Sequence, residues 1–278
     1  MQHTEYYWTS SDNLKMYGQE WKPEGKQKAA VALIHGLGEH SGRYQHVAEA
    51  LTKAGYSLTA FDLRGHGKSE GVRGHAISNA SHFADIQKNI ELTMEHFPGV
   101  PVFLYGHSLG GNLALIYCLT QKPDLKGVIV TSPGLGTTNP VPPLKLALGK
   151  MLYSILPATQ MENGLDRSGL SRDPEVERKY SADPLVHSKI SARMALDLFK
   201  NGDYIVAHAA EFPLPLLLMY GSGDYIVNPG LIKEFAKSAP LSKLTFKEWE
   251  GFYHELHNEP EKEQVFNTML NWMAVELK

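Results

Sequence analysis

Four short apolar stretches punctuate the first half of the chain: Ala29–Ile34, residues 57–61, residues 101–105 and Gly127–Thr131, each running into Gly, Asp or Ser. Unbroken apolar character predicts strands buried on both faces, as in a parallel sheet. Between the second and third stretch, Phe83, Ile86, Ile90, Met94 and Phe97 recur at helical spacing and predict one apolar helix face. Strands alternating with helices imply crossover units and a parallel sheet. The pattern resumes at residues 214–220, with a helix expected over 229–239 and a strand near Leu244–Trp249. A closing helix is expected after Pro260, a residue suited to a first helical turn. Ahead of all these, residues 4–10 and 14–21 alternate in polarity around Ser11-Asp12-Asn13, which predicts an edge hairpin.

One interval breaks the rhythm. Residues 133–213 far exceed the dozen or so that a crossover needs, so something is inserted there. We therefore divide the chain into a core of residues 1–136 and 211–278 and an inserted cap of residues 137–210. Within 142–156, Leu144, Leu148, Met151, Leu152 and Ile155 share a helical face, and Leu146 and Ala147 make the opposite side partly apolar. Such a helix is either a core element of the cap or a lid that meets lipid at a membrane surface. The longest uncharged run, residues 97–121, has the length of a membrane span, but Gly106, His107, Ser108, Gly110, Gly111 and Asn112 lie in its middle. It reads as strand, turn and helix.

Composition narrows the classes. With 278 residues, 42% hydrophobic and 21% charged, the chain fits one large α/β domain or two ordinary ones, and disorder is excluded. Its 27 Lys and Arg against 30 Asp and Glu leave a net charge of −3, no field for a polyanion, so no nucleic-acid partner is expected. Cys118 is the single cysteine, and the opening MQHTEYYWTSSDNL has neither a basic nor an apolar leader region. The expected setting is reducing and cytoplasmic, without a signal peptide or membrane span.

The chemistry concentrates at Tyr105-Gly106-His107-Ser108-Leu109-Gly110-Gly111, a G-x-S-x-G pattern between an apolar strand and a helix. A sharp strand-to-helix turn needs glycine on both sides and pushes the serine outward, to a helix N-terminus that favours negative charge. A serine hydroxyl becomes a competent nucleophile only with a base beside it and an acid to orient that base. After the strand at 214–220 comes Gly221-Ser222-Gly223-Asp224, and after the next strand Gly251-Phe252-Tyr253-His254. The order Ser108, Asp224, His254 is that of α/β-hydrolases. Asp203 and His257 compete for these roles but follow no apolar strand directly. The loop Leu33-Ile34-His35-Gly36-Leu37-Gly38-Glu39 follows the first buried strand, where that fold places one oxyanion donor. The expected oxyanion hole is the pair of backbone N–H groups of Leu37 and Leu109.

Other motifs fail. Gly67-Lys68-Ser69 resembles the tail of a phosphate-binding loop, but the glycine required five positions earlier is Asp62. His254-Glu255-Leu256-His257 lacks one residue of the H-E-x-x-H zinc spacing, so no metal is expected. Cys118, among Leu115, Ile116 and Leu119, is expected to be an inert core thiol.

Several blocks together resemble the monoacylglycerol lipase group of serine α/β-hydrolases: HGLGEHSGRY (35–44), FDLRGHGKSEGVRGH (61–75), GHSLGG (106–111), LSRDPEV with Tyr180 and DPL downstream (170–185), GSGDYIV (221–227) and YHELHNE (253–259). The resemblance implies an α/β-hydrolase fold with a mostly parallel eight-stranded sheet and an inserted helical cap. It implies hydrolysis of long-chain monoacylglycerols to fatty acid and glycerol, without a cofactor. By position, Glu39, Arg43, His107 and Tyr180 resemble the polar residues around the glycerol end, whereas the cap stretch 140–165 departs from the family blocks. From its wide apolar face, the 142–156 helix is expected to line an acyl tunnel through Leu148 and Met151 and to bring the cap to a membrane. The rival readings are a general carboxylesterase or lysophospholipase and, from another class, a non-catalytic binding module on the same fold.

Overall fold

A computed structural model describes the backbone of residues 1–138 and 143–278 and the side chains outside 139–146. Its frame is an eight-stranded sheet in the order β1 (Gln2–Thr9), β2 (Lys15–Lys22), β4 (Tyr56–Phe61), β3 (Ala29–Ile34), β5 (Val102–His107), β6 (Gly127–Thr131), β9 (Leu216–Gly221) and β10 (Leu244–Trp249). Only β2 runs against its neighbours. It pairs with β1 from Gln2 opposite Lys22 to Thr9 opposite Lys15, the edge hairpin that the alternating pattern predicts.

The buried strands carry two cores because successive side chains leave a strand on opposite faces. Ala29, Val31 and Leu33 of β3 join Tyr44, Phe103 and Trp272 on one side, covered by α1 (Gln45–Lys53) and α8 (Lys262–Glu276). Ala30, Ala32 and Ile34 join Ile86, Leu113 and Phe235 on the other, covered by α2 (Asn79–His96), α3 (Leu109–Gln121) and α7 (Pro229–Ser238). A capping box of Ser78 and Ser81 starts α2, and Asn228 with Pro229 starts α7. Two expectations shift. Met94 of α2 is exposed while Ile86, Ile90 and Phe97 are buried, so the apolar face is narrower than its spacing implies. Pro260 precedes α8 rather than opening it, because a 3-10 turn at Leu256–Asn258 and the Glu259 contacts use up the segment first.

The chain reverses direction across the sheet between β3 and β5, whose next strands in sequence, β4 and β6, lie on opposite sides. Such a switch point leaves a crevice beyond the carboxyl ends of the two strands, where ligands bind in open α/β sheets. His35 follows β3 there, and Ser108 follows β5.

The inserted segment runs between β6 and β9. It holds α4 (Pro143–Ile155), a two-stranded ribbon of β7 (Gln160–Glu162) and β8 (Lys189–Ser191), α5 (Pro174–Ala182) and α6 (Ala192–Ala207). Helix α6 is bolted to α3 by Asn112 Nδ2 donating to Leu198 O at 3.2 Å and by Asn201 Nδ2 donating to Asn112 Oδ1 at 3.1 Å. The insertion also touches the loops of the switch point: His187 N–H donates to Gly38 O at 2.9 Å. The apolar face expected over 142–156 begins at Pro142, outside the described residues, and its Leu144 and Leu146 side chains are also outside them.

Candidate active site

The turn from β5 into α3 forces the geometry of Ser108. Its backbone has φ 54° and ψ −115°, a strained conformation of the kind that costs about 1–3 kcal/mol and is held by its surroundings. Those surroundings are glycines. A Cβ on Gly106 would stand 2.4 Å from Gly110 O, and one on Gly110 would stand 2.1 Å from Ile34 O. The Ser108 hydroxyl is thereby held out of the helix, making no capping bond.

That hydroxyl meets His254 Nε2 at 2.9 Å, and His254 Nδ1 meets Asp224 Oδ2 at 2.7 Å. The other oxygen, Asp224 Oδ1, accepts from Ile226 N–H at 2.9 Å and Val227 N–H at 3.2 Å. Burial pushes the Asp224 carboxyl up, but His254 and these two N–H groups outweigh it and hold it below the usual range. Burial pulls His254 down, yet the Asp224 charge and hydrogen bond outweigh it, with Glu255 and Glu39 adding to them, so its pKa rises above 6.5. Neither competitor shares this arrangement. Asp203 is exposed on α6, and His257 is a buried core ring stacked on Tyr44 at 4.7 Å, its two nitrogens without partners among the described residues.

The loop after β3 lies directly beside the serine: a Cβ on Gly36 would stand 3.3 Å from Ser108 Cβ. Its Gly36 peptide is pinned at both ends. Glu39 Oε1 accepts Gly36 N–H at 2.6 Å, and His35 Nδ1 bonds Gly36 O at 2.7 Å. Leu63 N–H donates to His35 Nε2, which assigns the proton of His35 to Nδ1. The N–H groups of Leu37 and Leu109 have no protein acceptor among the described residues, the latter because it opens α3.

Behind these loops sits a buried charge cluster. Arg43 forks onto Glu255 at 2.6 and 2.7 Å and reaches Glu39 Oε2 at 2.6 Å; Tyr44 donates to Glu39 Oε1 at 2.8 Å. Burial pushes Glu39 up, but Arg43 and neighbouring histidines bring it down to about 2. Glu39 is 2% exposed, so its pair with Arg43 is not the surface pair that an i, i+4 spacing allows. Glu39, His107 and Glu255 bring their donor atoms within 4.8 Å of one another, a metal-like grouping whose cation is the Arg43 guanidinium. His107 bonds Thr131 Oγ1 at 3.0 Å and faces His254 at 4.9 Å; burial, then His254, lower its pKa to about 4.

Tyr180 of α5 lays its ring over Arg43 at 4.7 Å. A Cβ on Gly38, whose φ is +78°, would stand 3.2 Å from the Tyr180 hydroxyl and 3.4 Å from Asn163 Nδ2. Neither of these polar atoms has a protein hydrogen-bond partner among the described residues. Leu148 and Met151, expected to line an acyl tunnel, are 50% and 51% exposed on α4. The side of α4 turned inward holds Tyr153, whose hydroxyl donates to Asp197 at 3.0 Å.

Sequence reasoning passed over Asn163, Thr131, Ser132 and Glu255. Ser132, at φ 44°, donates from Oγ to His254 O at 2.8 Å. Position beside His254 was the available signal for Glu255. The failed phosphate-loop motif is also explained: Asp62 Oδ2 accepts Lys68 N–H at 2.7 Å, and a Cβ on Gly67 would stand 2.0 Å from that oxygen. The loop closes on a carboxylate and leaves no cradle for an anion. Cys118 is buried, which pushes its thiol pKa up and suits an inert thiol. A cavity of about 350 Å³ between Phe97, Val100, Pro101 and Leu125 lies at the amino ends of β5 and β6, remote from Ser108.

Over residues 25–261 the chain matches the Hydrolase_4 family, described as serine aminopeptidase, S33. It is 30% identical over 275 residues to a monoacylglycerol lipase of Mycolicibacterium smegmatis, covering 99% of this chain and 98% of that protein. It is 41% identical to an uncharacterized abhydrolase domain-containing protein of Dictyostelium discoideum over 95% of this chain, which spans only 28% of that much longer relative. The crystal structure of the Paleococcus ferrophilus monoacylglycerol lipase superposes with a TM-score of 0.83 at 33% identity, over 99% of this chain and all 100% of that one.

Proposed function

The chain belongs to the Hydrolase_4 family, an ester hydrolase of the α/β-hydrolase fold within the monoacylglycerol lipase group, and from that premise we propose that it cleaves monoacylglycerols to fatty acid and glycerol. The observation that carries the reading is the relay from Ser108 Oγ to His254 at 2.9 Å and on to Asp224 at 2.7 Å. In this mechanism His254 takes the Ser108 proton as the oxygen attacks the ester carbonyl. The negative oxygen rests on the N–H groups of Leu37 and Leu109, and Asp224 stabilises the imidazolium. His254 then protonates the departing glycerol oxygen. A water deprotonated by His254 opens the acyl-enzyme and frees the fatty acid.

The glycerol end is assigned to the Tyr180 hydroxyl and the Asn163 amide beside Gly38, with Glu39, Arg43 and His107 as the polar wall behind them. Unpaired donors next to the oxyanion loop suit a substrate with free hydroxyls, and a site built to bond hydroxyls discriminates against esters that lack them. The family description names aminopeptidases, and a peptide amine would need an unpaired carboxylate near the scissile bond. Glu39 and Glu255 are both taken by Arg43, which favours an ester. The exposed apolar residues Leu148, Met151 and Ile155 of α4, with Leu156 just after it, are assigned to peripheral contact with the lipid that supplies the substrate. No helix among the described residues is long and apolar enough to cross a membrane.

The test compares kcat/KM for one acyl chain carried on glycerol, on methanol and in a triacylglycerol, in the wild type and in Tyr180→Phe. The glycerol ester should lead in the wild type, and Tyr180→Phe should narrow its lead over the methyl ester. Equal rates on the glycerol and methyl esters in the wild type would reduce the reading to a general carboxylesterase.

A further inference from the structure

Glu255 is a buried carboxylate one residue beyond the general base, and the mechanism above gives it no task. We propose that Glu255 is a positioning residue of the hydrolysis: joined to Arg43 and Glu39, it forms a buried strut that fixes the loop of His254 against the oxyanion loop and sets negative charge behind the histidine. The inference rests on the serine-hydrolase reading of this site and not on the identity of the ester.

The strut is continuous. Gly36, the residue before Leu37, donates to Glu39; Glu39 holds Arg43; and Arg43 forks onto Glu255, whose backbone follows His254 directly. A bidentate guanidinium–carboxylate pair fixes direction as well as distance, so the two loops cannot slide independently. The far side is braced too. Asn258 Nδ2 donates to Glu255 Oε2 at 2.7 Å, and the backbone N–H groups of His254 and Glu255 donate to Gly169 O and Leu170 O of the insertion at 3.2 and 2.7 Å. The Tyr180 ring covers Arg43, so solvent reaches little of the pair, and its charges act in a low dielectric.

Charge counting gives the strut a second effect. Two carboxylates and one guanidinium leave one net negative charge close to His254. The other titratable groups packed around that ring are Asp224, bonded to it, and the buried His107 and His257; burial first, and then neighbouring charges, lower both of these, so they stay neutral. The surplus charge therefore favours the imidazolium formed as Ser108 attacks.

Glu255→Gln keeps the shape and leaves Arg43 and Glu39 as a balanced pair, so the fold has no uncompensated buried charge. The acid limb of kcat/KM should move to lower pH, and kcat should fall by about tenfold with KM within about twofold of wild type. Labelling of Ser108 by a fluorophosphonate should slow in parallel, and Glu255→Asp should return the acid limb toward its original position. Arg43→Lys, which keeps the charge and breaks the fork, should lower kcat without moving the limb. An acid limb in Glu255→Gln that coincides with wild type, a loss carried by KM, or an equal limb shift in Arg43→Lys would overturn the proposal. Failure of the probe to label wild-type Ser108 would instead overturn the serine-hydrolase reading beneath it.

Discussion

Acid should unfold this protein from within, because it buries neutral histidines. Burial, then Arg64, lowers His82 to about 3, while burial, then His254, lowers His107 to about 4. Burial lowers His35, His66 and His257 in the same direction. An unfolded histidine takes its proton near pH 6.5, so below that value the unfolded chain binds protons that the native state refuses, and stability falls with falling pH. Working from 6.5 to the folded values, His82 and His107 each remove about 2 kcal/mol at pH 5, together about 4 kcal/mol from a total that is typically about 5–15. His254, raised above 6.5, works the other way and offsets a part. Urea unfolding at pH 7.5 and pH 5.0 measures the difference. His82→Leu isolates one group: its Nδ1 has no partner among the described residues, so the substitution breaks no bond there. The pH-dependent loss should shrink by about 2 kcal/mol in that variant. The same loss in wild type and His82→Leu would refute the reasoning.

Three further outcomes are expected. Ser108→Ala should fold normally, escape the fluorophosphonate and lose about three orders of magnitude or more in kcat, and labelling of another serine would reassign the nucleophile. Because His254 must be neutral to accept a proton, kcat/KM should climb with pH and level off above a midpoint higher than 6.5; His257→Ala should lower Tm but keep that midpoint, and an acid optimum would contradict the assigned base. Replacing exposed Leu148 and Met151 together with Glu should raise KM for long-chain esters presented on vesicles and weaken liposome co-sedimentation while sparing soluble butyrate esters, whereas equal loss on every ester would mark the helix as structural.

The three side chains of the proposed triad, which the structure brings together, were legible because each announces itself locally. A glycine-flanked serine between strand and helix, an aspartate in a turn after one strand and a histidine after the next need only chain order to be paired. The buried strands were legible for the same reason, since two-sided burial writes continuous apolar runs into β3, β5 and β6. Sheet order was not. Nothing in the composition of β3 says that β4 and β5 flank it, because parallel neighbours are chosen by the crossovers and not by the residues of the strand. Of the insertion, its surplus length and the helix α4 (Pro143–Ile155) were legible; β7 and β8 were not, with three residues each and no apolar run, nor was α5, a polar helix whose single buried side chain is Tyr180.

The buried charges mark where reading residue by residue stops. Charged side chains are rarely buried unless paired, so Glu255 on its own reads as surface, and the spacing of Glu39 and Arg43 by itself also allows an exposed helical pair, although the family resemblance sets both at the glycerol end. The burial is compensated where the partners from residues 39–43 and from residue 255 meet, and that meeting needs β3 and the loop after β10 at the same end of the sheet. A buried pair of this kind is weak support for stability, since apolar residues of the same shape often serve the fold as well or better. Here the pair joins the two loops that must agree to within a few tenths of an ångström, one carrying the assigned oxyanion donor and the other the assigned base. Misplacement by about 1 Å far from the reacting atoms can cost about a hundredfold in rate, which is reason enough to hold charges out of water. The residues hardest to read from the sequence are thus those that set the geometry of the residues easiest to read.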